Sequence, residues 1–190
     1  MDLSPDKRVR IIAAASRLIV RNGLQCSMAA IAEEAGVATG SLYNYFDSKE
    51  ALVRGVYGQV AEVMTAHMAA GDHQSSGPAA RVAAYIARYI DFIWEDEQRS
   101  RLFDYLENSP LISLGDARAI FGPFVDSAIA MIEEAQAAGV VRAGPPTLIA
   151  SFVRGAIRNF VKRRRLLPDA MTADERAMLA SMCWQAIALR

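Results

Sequence analysis

Two cysteines, two histidines and no net excess of either charge limit what this 190-residue chain can be. Cys26 and Cys183 lie far apart, form no CxxC pair and have no histidine at ligand spacing, so neither a disulfide framework nor a metal site is expected. His67 and His73 read as surface or internally satisfied residues, and the two thiols as ordinary ones. Long apolar runs are also missing. The stretch from Ile11 to Val20 is too short to span a bilayer, is interrupted by Arg17, and is followed by no small-residue cleavage pattern. A chain that stays in a reducing cytoplasm, away from membranes, is the expectation. Glycine-rich phosphate loops, nucleophile motifs and paired carboxylates in a cleft-like context are absent, which argues against an enzyme and gives no cofactor a place to bind.

Helical periodicity is what the chain has in quantity. With 53% hydrophobic and 22% charged residues it is long enough for one large domain or two small ones. Apolar residues recur at helical spacing, no alternating strand pattern persists, and an all-α fold without sheet is expected. The first helix should open at Ser4 and Pro5, turn Val9, Ile12, Ala13, Leu18 and Ile19 inward, and stop at Asn22-Gly23. A second begins after Ser27 and ends at Gly36, where a residue without Cβ can take the left-handed conformation. A two-turn helix follows from Thr39 to Phe46. Asp47 with Glu50 reads as a capping box opening a long helix through Tyr57, Val60 and Met64 to Ala70. Beyond a polar linker at 71–78, helices are expected at about 79–95, 98–107, 116–138, 146–166 and 173–188, with Pro123 predicting a kink or a late start.

The segment 27–46 has the physical requirements of a helix-turn-helix. Ala32 is small where two helices cross, and Gly36 permits the sharp reversal between them. In the second helix Leu42 and Phe46 share a face that can pack on Ile31, whereas Gly40 and Asn44 share the opposite, outward face. In such motifs the outward face enters the major groove. Thr39, at its leading end, suits a thymine methyl or a polar base edge, and Gly40 allows backbone to approach DNA closely. Bulk charge does not make this case. Over residues 1–58, seven basic side chains (Lys7, Arg8, Arg10, Arg17, Arg21, Lys49, Arg54) face six acidic ones (Asp2, Asp6, Glu33, Glu34, Asp47, Glu50). Glu33-Glu34 reads as a solvated face.

The run Ser27-Met-Ala-Ala-Ile31-Ala32-Glu-Glu-Ala35-Gly36-Val37-Ala-Thr39-Gly40-Ser-Leu42-Tyr43-Asn-Tyr45-Phe46-Asp-Ser-Lys49-Glu50-Ala-Leu52 resembles the DNA-binding signature of the TetR (tetracycline-repressor) family. The resemblance is dense over residues 6–58 and falls off afterwards, apart from Ala138-Gly139-Val-Val-Arg142 and the Leu148–Phe160 stretch, which look like that family's turn into its eighth helix. It implies a helix-turn-helix domain over residues 1–52, a helical effector-binding and dimerisation domain over 53–190, and operator contacts from Ser27, Thr39, Gly40, Ser41, Tyr43, Asn44, Tyr45 and Lys49. Tyr43, Tyr45 and Lys49 would grip phosphates and fix the docking register. Two departures thin the base readout: no Lys or Arg lies between Gly36 and Lys49, and Ala38 stands where the family often has serine.

The resemblance further implies an apolar ligand pocket in the second half, for which Tyr85, Tyr89, Phe103, Phe121, Phe124 and Asn159 are candidates, with Arg154 and Arg158 as polar neighbours. The effector would be an apolar or amphipathic small molecule. The two last helices carry more apolar surface than a monomer should expose, and Phe152, Ile157, Met182 and Trp184 are read as a homodimer interface, which the family resemblance makes a four-helix bundle about a two-fold axis. Lys162-Arg163-Arg164-Arg165 is expected to complement a helix dipole, with an auxiliary DNA or acidic-ligand role as the alternative. The function expected is a transcriptional regulator, a repressor released from a palindromic operator in double-stranded DNA by its effector. A helical small-molecule binder with no DNA role and a cryptic enzyme are the alternatives, and neither has a motif here.

Overall fold

Side-chain caps fix where four of the helices begin. The computed structural model describes residues 5–70, 77–107 and 109–189; Ser4, His73 and most of the expected linker lie outside them. Nine α-helices are found among the described residues: α1 Pro5–Asn22, α2 Met28–Glu34, α3 Thr39–Tyr43, α4 Lys49–Ala69, α5 Pro78–Glu95, α6 Glu97–Glu107, α7 Leu114–Ala137, α8 Pro146–Arg164 and α9 Ala173–Ile187. Ser27 Oγ accepts the Ala30 N–H at 3.1 Å and caps α2. Ser48, not Asp47, caps α4, taking the Ala51 N–H at 3.1 Å, so the expected Asp47–Glu50 box is displaced by one residue. α7 opens on a reciprocal pair that the sequence reading missed. The Asp116 N–H donates to Ser113 Oγ at 3.0 Å and the Ser113 N–H to Asp116 Oδ2 at 3.2 Å, which starts the helix at Leu114. Thr172 and Glu175 form the same kind of box at α9. Pro123 lies inside α7 and does not delay its start.

No strand forms among the described residues. A single antiparallel bridge joins Val141 to Ala188, with the Arg142 N–H on the Ile187 carbonyl at 2.9 Å and the Leu189 N–H on the Val140 carbonyl at 3.0 Å.

The chain packs as two compact units, neither of which is continuous in sequence. The first comprises residues 1–63 and 97–122, the second 64–96 and 123–190. In the first, α1 buries Ile11, Ile12, Ala14, Ala15, Leu18 and Ile19 against α2 and α6. Val9 and Ala13, expected on that stripe, are exposed. The inner face is rotated toward Ile11 and Ala15. Tyr57 from α4 meets Phe103 of α6 and Phe121 of α7, with ring centroids 6.3 and 4.6 Å away.

The second unit is organised around α5, whose Val82, Ile86, Tyr89, Ile90, Phe92 and Ile93 are all buried, and which packs on both α8 and α9. A helix buried on more than one side leaves its last carbonyls in need of partners. Arg165 supplies them, donating to the Ile93 and Trp94 carbonyls at 2.7 and 2.8 Å and lying over the Trp94 ring. Arg164 is buried, pairs with Glu175 at 2.8 Å and donates to the Asp169 and Ala170 carbonyls. Two of the four residues read as a dipole-complementing run are therefore interior staples, while Lys162 and Arg163 are exposed. Cys26 and Cys183 are both buried and unpaired, and burial pushes the Cys183 thiol pKa up.

Candidate nucleic-acid interface

The reversal between α2 and α3 depends on Gly36, whose φ of 64° lies in the left-handed region. Its N–H returns to the Glu33 carbonyl at 3.0 Å, and that of Val37 to Ala32 at 2.9 Å, so the turn closes on the end of α2. Ala32 is fully buried where the helices cross, with Ile31 beside it. Inward from α3 and the turn after it, Leu42 and Phe46 are buried. Thr39, Gly40, Tyr43 and Asn44 are exposed, and Ser41, Tyr45 and Lys49 are half-buried. Ser27 is exposed as well as capping α2.

α3 is shorter than expected. It ends at Tyr43, and Asn44 and Tyr45 continue as a turn with the Asn44 N–H on Ser41 and the Tyr45 N–H on Leu42, tighter bonds of three-residue spacing. The chain must turn there, because Phe46 goes into the core while α4 begins three residues later at Lys49.

Four contacts tie the segments on either side of this short helix to the rest of the unit. Arg17 Nε pairs with Glu34 Oε1 at 2.8 Å, tying α1 to α2, so Glu34 is not the free solvated residue the sequence suggested. The Arg8 guanidinium stands 5.4 Å over the Phe46 ring. Gly55 lies directly against that ring. Lys49 Nζ donates to the Leu24 carbonyl in the 3₁₀ turn Gly23–Gln25, joining the start of α4 to the loop between α1 and α2. The contacts of Arg8 and Lys49 were not legible in the sequence, since neither partner is near in the chain.

Gly40 differs from the other glycines just named. Its φ is not positive, and a Cβ placed on it would meet nothing within 4 Å. A helical glycine costs about 0.5–1 kcal/mol relative to alanine. The fold of the free chain has no use for it.

The pocket candidates fall into separate groups. Phe103 and Phe121 meet with Tyr57 in the first unit; Tyr85, Tyr89 and Phe124 stack in the second, with centroids 6.2–6.4 Å apart. Asn159 is exposed on α8 and faces no interior. Of the interface candidates, Phe152 and Met182 are 54% and 58% exposed and Trp184 is half-buried. Ile157 has no exposed surface at all and belongs to the core of its own unit, a correction to its reading as an interface residue. Leu148 and Met178, one helical turn before Phe152 and Met182, are exposed instead and extend each stripe.

Residues 11–56 match the family model for bacterial regulatory proteins of the tetR family. Over its whole length the chain is similar to solved structures. A candidate tetR family transcription regulator from Shewanella sp. PV-4 is 24% identical with a TM-score of 0.83, covering 97% of this chain and 99% of that one. A TetR family regulator from Marinobacter aquaeolei VT8 gives 17% and 0.83, with 97% of each chain covered. One from Haemophilus influenzae RD gives 19% and 0.79, again with 97% of each covered. At these identities the likeness establishes the fold. No helix among the described residues is long and apolar enough to cross a membrane.

Proposed function

The chain carries the helix-turn-helix domain of the tetR family of bacterial regulatory proteins at residues 11–56, on the fold of solved regulators of that family, and from this premise we propose that it is a cytoplasmic, homodimeric repressor released from a palindromic operator by a small-molecule effector. Residues 1–52 read DNA and residues 53–190 bind the effector and dimerise. No catalytic step is assigned to it.

The observation that carries this reading is the outward face of α3. Thr39, Gly40, Tyr43 and Asn44 are held exposed by a buried Leu42 and Phe46, and Gly40 occupies a position where the free fold has room for a side chain. Close approach of backbone to a base edge or phosphate gives that glycine a use. Thr39 and Asn44 offer base contacts, Ser27, Ser41, Tyr43 and Tyr45 phosphate contacts, and Lys49 a cation that reaches phosphate while one of its protons holds Leu24.

A five-residue helix covers few base pairs, so a second copy is needed to reach operator-length specificity. The stripes Leu148–Phe152 on α8 and Met178–Met182 on α9, with Trp184 beside them, offer an apolar face for that copy. The direct test is selection of bound duplexes from a random pool at moderate salt. Enrichment of a two-fold symmetric sequence supports the reading; retention of random duplexes with no consensus sinks it.

A further inference from the structure

Within the second unit, two buried polar groups lie beside each other with no acceptor for their protons beyond the phenol oxygen itself. The Tyr85 hydroxyl on α5 and the Arg154 Nη1 on α8 are shut off from solvent and have no hydrogen-bond partner. Both residues are only half-buried as a whole, so their polar ends turn inward from the margin of the packing. The Arg154 guanidinium stands 5.5 Å over the Phe124 ring. Phe124 stacks with Tyr85 and Tyr89 at interplanar angles of 21° and 17°, and the two tyrosines are parallel to within 7°. The result is an aromatic slab with a guanidinium at its face.

The inventory of this cluster is lopsided. A guanidinium has only donors, and a phenol brings one donor and can accept. Even if Tyr85 accepts from Arg154, its own proton and the second proton of Nη1 need an acceptor. Among the described residues no carboxylate pairs with Arg154. Burial raises the Tyr85 pKa from 10.0, against the pull of the adjacent Arg154 charge, so near neutral pH the hydroxyl keeps its proton and can donate it. Unpaired buried donors are costly, and a charge left without a partner is more so. An anion repairs both faults at once, and the stacked rings provide an apolar bed for the body attached to it.

We propose that the second unit binds a small organic acid, an aromatic or aliphatic carboxylate whose oxygens take protons from Arg154 Nη1 and the Tyr85 hydroxyl while its apolar body lies against Tyr89 and Phe124. The proposal rests on the reading of residues 53–190 as an effector domain and names the chemical class of that effector. It predicts that the acid group, rather than the hydrocarbon, supplies the selectivity.

The test is binding to the free dimer, without DNA, followed by calorimetry and thermal shift. The probes are 4-phenylbutanoate and decanoate at millimolar concentration, each beside its neutral primary amide. At least one acid binds the wild-type chain roughly tenfold or more tightly than its amide, the scale of a charge-assisted hydrogen bond. Arg154→Met removes that preference, Tyr85→Phe weakens acid binding several-fold and spares the amide, and Arg154→Lys retains part of the preference. Should Arg154→Met fail to fold by circular dichroism, the Tyr85→Phe and Arg154→Lys pair decides the question. Equal binding of acid and amide, binding of neither acid, or an acid preference that survives in both Tyr85→Phe and Arg154→Met overturns the site. Because DNA is not in the assay, failure here leaves operator binding standing. Loss of operator binding in a Thr39 variant, conversely, leaves acid binding unchanged.

Discussion

Gly55 lies so near the ring of Phe46 that a Cβ built on it would stand 2.8 Å from Cε1, closer than side-chain contacts tolerate. The first part of α4 therefore presses its backbone onto the residue that ends the α3 turn. The Arg8 guanidinium also lies over the Phe46 ring. Gly55→Ala should consequently destabilise the chain by about 1–2 kcal/mol, overpacking exceeding the helix-propensity gain. Phe46→Leu in the same chain should recover part of the loss, a coupling that urea titration of the four-member cycle reads directly. Additive effects would mean that the two residues do not press on each other.

The outward face of α3 gives the opposite expectation for another glycine. Gly40→Ala should fold normally and melt at the same temperature or slightly higher, because its Cβ meets nothing, yet bind operator more weakly. Thr39→Ala and Asn44→Ala should alter sequence preference. Lys49→Ala should weaken binding to all duplexes, lower the salt slope by about one unit, and reduce the melting temperature through loss of the Leu24 tie. Anisotropy titrations at several salt concentrations, with melting curves, separate these outcomes. Equal losses on selected and random DNA from every variant would contradict the assignment.

Dimerisation should fail when a charge is placed on the exposed stripes and not when one is placed nearby in the core. Phe152→Glu or Met182→Glu should sediment as a folded monomer and lose operator affinity on the order of 100-fold or more, although neither residue lies in the helix-turn-helix. Ile157→Glu should instead unfold its unit, since that side chain has no exposed surface. A folded Phe152→Glu monomer with undiminished operator affinity would break the proposed link between the two ends of the chain.

The sequence carried the helices well where a cap or a proline marked them. Ser27, Gly36, Pro78, Pro146 and Thr172 each fall at an element boundary. Boundaries drifted where two capping residues competed, as at Asp47 and Ser48, or where an acid served its own helix start, as Asp116 does with Ser113. Periodicity put Leu42 and Phe46 inside and Gly40 and Asn44 outside, but it could not tell a residue buried in its own core from one left exposed. Ile157 and Phe152 lie on the same apolar helix, and only packing separates them. The contacts that were invisible are those between distant segments: Arg8 with Phe46, Lys49 with Leu24, Arg165 with the end of α5, and the nearness of Arg154 to Tyr85. Local pattern holds no record of them.

Acid should expose the fastening of α9. Hydrogen bonding from Arg164, then from the Thr172 backbone, holds the Glu175 carboxyl below its ordinary 4.5. A carboxylate whose folded pKa is depressed contributes stability in full above the unfolded value and loses it as pH falls through the folded one. Glu175→Gln should therefore be less stable than wild type at neutral pH, and the gap should narrow below pH 4.5. Melting temperatures of both chains measured from neutral to acid pH check the sign. A gap that is constant over that range would mean the charge on Glu175 does not matter.

The central claim is that two copies of the α3 face, set by one dimer, read one symmetric site. Its most direct measurement is the affinity of the wild-type chain for a selected palindrome and for the same duplex with one half-site randomised, at matched salt and length. Losing one half-site should cost on the order of 100-fold in affinity or more, with two protomers per intact palindrome. Undiminished affinity for the single half-site, or one protomer bound per palindrome, would contradict it.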